Sequence, residues 1–156
     1  MNLRFVLVLL GLAGSLFAAD PLVGTWKLNV AKSKQAGPGM RYKEWTHVYE
    51  EQEGQLVGAA TQILEDGSII HSKYTVSSTG GTVHFSEGAL PEGVSMTLSP
   101  RSEDSHTADW PVEMGGRAIA AWQDVVSSDG KTLTVTARGN DAKGKPYEAV
   151  LVFDRQ

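Results

Sequence analysis

Hydrophobic and polar residues alternate along much of this sequence in short runs, and a turn signal interrupts them about every ten residues. In the first run, one predicted face carries Leu22, Gly24, Trp26, Leu28 and Val30. A period of two is typical of a half-buried β-strand, and no window carries a helical stripe of three turns or more. The pattern therefore predicts an all-β protein of roughly ten strands.

The same alternation recurs in residues 94–98, 132–137 and 147–153. It is less regular in residues 41–51 and 117–126, so the register of those two strands stays open. Between the runs, Asp66-Gly67 and Asp129-Gly130 are dipeptides that tolerate the positive φ angles of a type I′ turn. We expect a tight hairpin at each of them.

So many strands in one domain leave two architectures, a β-sandwich or a β-barrel. Hairpin connections follow one another throughout, with no long return loop, which favours the barrel. Closure would also remove the exposed sheet edges that invite aggregation. The sequence predicts an antiparallel up-and-down β-barrel of roughly 8–10 strands, with a β-sandwich as the alternative.

The two ends of the predicted barrel carry a recognisable pair of motifs. Gly24-Thr25-Trp26-Lys27-Leu28 opens the first strand, and Arg155 ends the last one. This arrangement resembles the lipocalin and fatty-acid-binding-protein superfamily, in which a Gly-x-Trp packs beneath an arginine of the final strand. Ala31-Lys32-Ser33 and the stretch 129–136 extend the resemblance to small exported bacterial lipocalin-like proteins of unassigned activity.

The resemblance implies a structural role in barrel closure for Gly24, Trp26 and Arg155. In physical terms, Gly24 would leave room for the Trp26 indole across the barrel end, and the Arg155 guanidinium would make a cation–π contact with that ring. Residues 31–40 are too few for the two lid helices of intracellular fatty-acid-binding proteins. A minimal barrel is expected.

The first residues predict export. Arg4 precedes the apolar run 5–12 and the small pair Ala18-Ala19, which is the layout of a signal peptide. We expect a signal peptide at 1–19, a barrel domain at 20–156 and a periplasmic or secreted location. The sequence has no cysteine, so neither a disulfide nor a lipoprotein anchor is available. An integral membrane segment is not expected after cleavage, because the apolar run is too short.

The net charge of −4 makes nucleic acid a poor partner. Phosphate loops, nucleophile elbows and His-Glu-x-x-His motifs are missing from the sequence. His47, His71, His84 and His106 are scattered over different predicted strands. We therefore predict no metal site, no cofactor and no catalytic residue, and the chain is more easily interpreted as a non-enzyme.

Aromatic side chains give the best indication of a binding site. The candidate ligand-binding residues fall on different predicted strands and are Trp45, Tyr74, Phe85, Met96, Trp110 and Trp122. Barrel interiors lined in this way offer apolar walls with a few polar groups, and His71, His84 or Arg117 would orient a bound carboxylate or carbonyl. The predicted function is binding of a small apolar or amphipathic ligand.

Two other functions stay open. The same aromatic side chains would fill a solid barrel, which would then act as a structural or interaction domain for an envelope protein partner, with an outward Trp122 as its anchor. An enzyme built on the barrel is the least favoured, and an inward cluster joining a histidine to a carboxylate would strengthen it.

Overall fold

The computed structural model describes residues 19–36, 41–141 and 143–156. The predicted signal peptide lies outside these residues apart from Ala19. Eleven strands form one sheet, and the described part of the chain contains no α-helix, only the 3₁₀ turn Val30–Lys32. The strands are β1 (Gly24–Leu28), β2 (Tyr42–Gln52), β3 (Gln55–Leu64), β4 (Ile69–Ser77), β5 (Gly81–Thr82), β6 (His84–Glu87), β7 (Val94–Leu98), β8 (Thr107–Met114), β9 (Arg117–Val126), β10 (Thr132–Asn140) and β11 (Pro146–Arg155).

All strand pairs are antiparallel, and the sheet closes into an up-and-down barrel. β5 and β6 lie at the two ends of the strand order but are separated by Val83 alone, so they behave as one interrupted strand. β5 pairs with β7, β6 pairs with β4, and the Val83 amide donates to Met96 O at 3.0 Å. The predicted barrel of roughly ten strands is confirmed, and the sandwich alternative is wrong.

Hairpins occur at Asp66-Gly67 and Asp129-Gly130, as predicted, but their turn type differs from the prediction. Only the glycine of each pair has a positive φ, and its amide donates to the carbonyl three residues earlier. This is a type I turn followed by a left-handed glycine. Two-residue turns with two positive φ angles occur instead at Glu53-Gly54, which joins β2 to β3, and at Gly115-Gly116, which joins β8 to β9.

The alternating residues of the sequence form the core where predicted, with one exception. Trp26 and Leu28 of β1, Leu133 and Val135 of β10, and Phe153 of β11 are buried. Val30 does not continue the inward face: it is 47% exposed, because β1 ends at Leu28 and the chain turns into the 3₁₀ segment. The inward side chains of successive strands thus form one core that surrounds the barrel interior.

Candidate functional site: an aromatic cavity with a polar cluster

The barrel encloses a cavity of about 270 Å³. Its deep wall consists of buried side chains from β2, β3, β4, β8, β9, β10 and β11, whereas the exposed residues Gly88 and Ala89 border it on one side. Across from them lie the half-buried Ile70 and Ser72 at the start of β4. The mouth of the cavity therefore lies between the beginning of β4 and the loop that follows β6.

All six candidate ligand-binding residues line this cavity: Trp45, Tyr74, Phe85, Met96, Trp110 and Trp122. The aromatic rings of this set contact one another in edge-to-face or tilted arrangements. Trp45 lies 6.2 Å from Trp122 and 5.3 Å from Phe153 between ring centroids, and Tyr74 lies 5.4 Å from Phe85. These contacts leave a space with aromatic walls rather than a solid core. That these residues bind a ligand stays a prediction.

Four buried polar side chains form a continuous hydrogen-bonded group along the cavity wall, called here the interior polar cluster: His47, Tyr74, Tyr49 and Asp124. His47 Nε2 lies 3.1 Å from the Tyr74 hydroxyl. That hydroxyl donates to the Tyr49 hydroxyl at 3.2 Å, which donates to Asp124 Oδ2 at 3.2 Å. Three strands, β2, β4 and β9, supply the cluster, and an imidazole is thereby connected to a carboxylate inside the barrel.

Burial controls the charge of the cluster. It raises the pKa of Asp124 from 3.8 to about 7, against hydrogen bonds from Trp110 and Tyr49 that favour the ionised carboxylate. It lowers the pKa of His47 from 6.5 to about 3, so this imidazole is neutral at neutral pH. Burial likewise raises the pKa of both cluster tyrosines well above the usual value. Asp124 is thus the member whose proton can be exchanged near pH 7.

One cavity-wall residue has an unsatisfied donor. Trp45 Nε1 is buried and finds no hydrogen-bond partner within the described ranges. An unpaired buried donor costs about 1–3 kcal/mol relative to a satisfied one. The ring is nonetheless held by its stacking on His47, with centroids 6.1 Å apart, and by its edge contact with Phe153.

The opposite end of the barrel is sealed around Trp26, which is fully buried. Arg155 Cζ lies 4.1 Å from the centroid of the Trp26 ring, and the indole N–H donates to Leu22 O at 2.8 Å. Arg155 also donates to the carbonyls of Val23 and Pro21 at 2.6 and 2.8 Å. Indole and guanidinium together close this end.

Gly24 serves a different neighbour from the one expected. A Cβ at Gly24 would lie 2.2 Å from Arg155 Nη1, so the space above this glycine belongs to the guanidinium and not to the indole. The residue also has a φ of +139°, which side-chain-bearing residues rarely adopt. Two features therefore require glycine at this position: the positive φ of the backbone and the close approach of the Arg155 guanidinium.

A buried ion pair at the same end was not predicted. Arg101 Nη1 lies 2.8 Å from Asp20 Oδ2, and the two side chains are 4% and 0% exposed. Asp20 Oδ1 accepts from Arg101 Nη2 and from the Leu22 amide. The residue that directly follows the predicted signal peptide is therefore part of the sealed end of the barrel.

The three residues expected to orient a bound ligand, His71, His84 and Arg117, do not supply the polar groups of the cavity interior. His84 and Arg117 are exposed and do not line the cavity. His71 borders the cavity at its mouth, but its side chain is exposed and its Nδ1 lies 3.1 Å from Thr61 Oγ1. The polar groups inside are those of the interior polar cluster and the buried amide of Gln62. Across the ranges described, no group of three His, Cys, Asp or Glu side chains could hold a metal ion.

The sequence contained a signal for the missed residues. Trp45, His47 and Tyr49 alternate with Thr46 and Val48, as an inward face requires. A register shift between Tyr42 and Glu44 breaks this alternation at the start of β2 and concealed it. Asp124 shares the inward face of β9 with Trp122, where a charged residue was not expected.

Comparison of the sequence with models of known families finds no match, and a search of curated proteins finds none either. Two solved structures are similar in fold, each at 14% sequence identity. Rv2717c from M. tuberculosis matches with a TM-score of 0.52 over 87% of this chain and 93% of that one. Apocrustacyanin C1 matches with a TM-score of 0.45 over 88% of this chain, which spans 62% of the crustacyanin chain.

At such identities the likeness concerns the fold alone. The closed up-and-down barrel, with its Gly-x-Trp strand beneath a terminal arginine, makes this a lipocalin-like fold, as the sequence predicted. Within residues 19–36, 41–141 and 143–156, no helix is long and apolar enough to cross a membrane.

Proposed function

We propose that this protein is an exported, lipocalin-like binding protein that holds a small apolar or amphipathic ligand inside its barrel. The observation that carries the proposal is the cavity of about 270 Å³ with aromatic walls and one compact group of polar side chains. Ligand sites in proteins combine these same two features. The signal-peptide pattern of residues 1–19 supports export to the periplasm or the exterior.

The competing proposal of a filled barrel that binds an envelope protein has less support. Its suggested anchor, Trp122, lines the cavity and contacts Trp45, so it does not offer an exposed ring to a partner. The barrel interior also contains a cavity and is not filled.

Binding can be tested on protein that has been unfolded, delipidated and refolded. Three of the four tryptophans line the cavity, so a ligand inside it should change their fluorescence saturably. Naphthalene, an apolar ring compound, and retinol, an amphipathic alcohol with one ring, are suitable first probes of the two ligand types proposed. We expect saturable binding below about 100 μM, which corresponds to roughly 5–6 kcal/mol. Absence of binding by every ring compound tried would contradict the proposal.

A matched pair of variants locates the site. Ala60 faces the cavity from β3, and its neighbour Ala59 faces the opposite side of the same strand. Ala60→Leu should fill part of the cavity and weaken binding at least tenfold, whereas Ala59→Leu should leave binding unchanged. Equal effects of the two variants would show that the ligand binds outside the barrel.

A second candidate function, general acid–base catalysis, is favoured by one observation. The interior polar cluster connects His47 to Asp124, and burial gives the Asp124 carboxyl a pKa of about 7 at the cavity wall. Such a carboxylate can accept a proton from a bound carbon acid. Ring opening of 5-nitrobenzisoxazole, in which a base removes one C–H proton as the N–O bond breaks, measures this ability. The rate should rise through pH 7 and disappear in Asp124→Asn, and an unchanged rate in that variant would exclude the function.

A further inference from the structure

The deep part of the cavity offers no cationic side chain to an acidic ligand, since His71 borders only the mouth and is exposed. No lysine or arginine is among the described residues that line it, and its one carboxyl group belongs to Asp124. An anion placed here would lose its water and gain no opposite charge, which is strongly unfavourable in an apolar site. The ionised Asp124 would add repulsion. The expectation that a bound carboxylate is oriented by His71, His84 or Arg117 therefore does not fit this interior.

The direction of the hydrogen bonds shows what the cluster can still accept. A tyrosine hydroxyl has one proton, and Tyr74 gives its proton to Tyr49 while Tyr49 gives its own to Asp124. The bond between His47 and Tyr74 must then be donated by His47 Nε2–H. Because a neutral imidazole carries one proton, His47 Nδ1 is left as an acceptor. This atom makes no hydrogen bond with any side chain or backbone group of the residues described.

The size and walls of the cavity restrict the ligand further. A volume of about 270 Å³ lies just below the range of roughly 300–1,000 Å³ that is usual for ligand sites. Trp45, Trp110 and Trp122 present rings on several sides. Flat ring compounds gain most from such walls, because aromatic rings prefer stacked or edge-to-face contacts. A compact ring system fits this space better than a long acyl chain.

We propose that the ligand is a compact, uncharged ring compound with one hydroxyl or N–H group, which donates a hydrogen bond to His47 Nδ1. The proposal rests on the binding function proposed above and specifies its ligand class. It separates phenol-like and aryl-amine-like molecules, which the cavity accepts, from aromatic or aliphatic carboxylates, which it rejects.

Three probes with the same ring system test this proposal: naphthalene, 2-naphthol and 2-naphthoate, compared by calorimetric titration of the delipidated full-length barrel near pH 7. We expect 2-naphthol to bind about tenfold more tightly than naphthalene, which is the contribution of one hydrogen bond. We expect 2-naphthoate to bind at least tenfold more weakly than 2-naphthol.

Variants then identify the acceptor. His47→Phe should remove the preference for 2-naphthol over naphthalene and leave naphthalene binding in place, which also shows that the variant is folded. His84→Phe, at an exposed residue that does not line the cavity, should retain the preference. His47→Gln, whose amide oxygen can accept a hydrogen bond, should retain part of it.

The outcomes distinguish the two proposals. If 2-naphthoate binds as tightly as 2-naphthol, or if 2-naphthol is no better than naphthalene, the ligand class is wrong while the binding function stands. A preference that survives in His47→Phe overturns the assignment of the acceptor. If none of the three probes binds, the binding function itself fails.

Discussion

The ring of Tyr74 lies directly over Gly58 of the neighbouring strand. A Cβ at Gly58 would be 2.3 Å from Tyr74 Cζ and 2.7 Å from two further ring carbons. The two residues are paired in the β3–β4 register, so the contact is fixed by the sheet. The absence of a side chain at Gly58 thus allows Tyr74 to lie flat and reach both His47 and Tyr49.

Gly58→Ala should therefore disturb the interior polar cluster. We expect a loss of about 1–3 kcal/mol in the free energy of unfolding, the usual effect of overpacking, together with weaker binding of 2-naphthol. Urea unfolding measures the first effect. In a Tyr74→Ala background the same substitution should cost much less, because the clash is gone. An equal cost in both backgrounds would show that the ring is not what Gly58 accommodates.

Trp26→Ala should destabilise the barrel by about 3–5 kcal/mol, since it removes a large, fully buried aromatic side chain and the cation–π contact with Arg155. Chemical denaturation followed by circular dichroism gives the difference. A loss below about 1 kcal/mol would contradict the sealing role of Trp26. Trp110→Ala is a useful comparison, because it enlarges the cavity but leaves the sealed end intact.

Arg101→Met should cost about 3–5 kcal/mol, because it leaves the Asp20 carboxylate buried without its partner. The double variant Asp20→Leu, Arg101→Met should recover much of this loss, because a buried ion pair replaced by apolar residues is often tolerated. Thermal unfolding of both variants makes the comparison. A double variant as unstable as Arg101→Met would show that the hydrogen bond from the Leu22 amide to Asp20 matters more than the charge.

Asp124 and His47 affect stability in opposite ways as pH changes. The raised pKa of Asp124, about 7, means that its contribution is fully present below 3.8 and is lost as pH rises through 7. The lowered pKa of His47, about 3, means that its contribution is present above 6.5 and is lost as pH falls through 3. Between about pH 4 and 6.5 the pH dependences of the two contributions are opposite in sign and cancel, so these two groups leave the free energy of unfolding independent of pH there.

Asp124→Asn should remove the pH dependence that Asp124 contributes and leave that of His47 uncompensated. Relative to the wild type, its free energy of unfolding should fall by about 1.4 kcal/mol for each pH unit as the pH decreases from about 6.5 to 4. Urea titrations at several pH values measure the difference in free energy of unfolding between variant and wild type. The contributions of the other ionisable groups are the same in both proteins and cancel in this difference. A difference that stays constant over this pH range would contradict the raised pKa of Asp124.

The fold could be predicted from local sequence patterns, because strands show a period of two and hairpin turns contain glycine. Alternation located Leu133 and Val135 in the core, and Gly67 and Gly130 marked hairpins. The turn type was wrong because Asp66 and Asp129 hold their turns through side-chain hydrogen bonds to the amides of Ser68 and Lys131, without adopting a positive φ themselves.

The aromatic wall of the candidate site could be predicted from the sequence, whereas the interior polar cluster could not. Aromatic residues on separate strands indicate an interior wall, and all six candidates lie there. The interior polar cluster depends on which strands meet across the barrel, and Tyr49 and Asp124 are 75 positions apart in the sequence. A single sequence does not show which side chains of distant strands come into contact. Here the inward faces were also obscured, in β2 by the register shift and in β9 by exposed apolar residues such as Val125.

The pairing of β1 with β11 has a consequence for the kinetics of folding. Trp26 meets Arg155 in this register, whereas the other strand pairs of the described ranges join segments that are close in the sequence. Bringing distant segments together carries the largest loss of chain entropy, and high contact order slows folding. This seam should form last on the way to the native state, so substitutions at Trp26 or Arg155 will mainly accelerate unfolding and leave the folding rate almost unchanged.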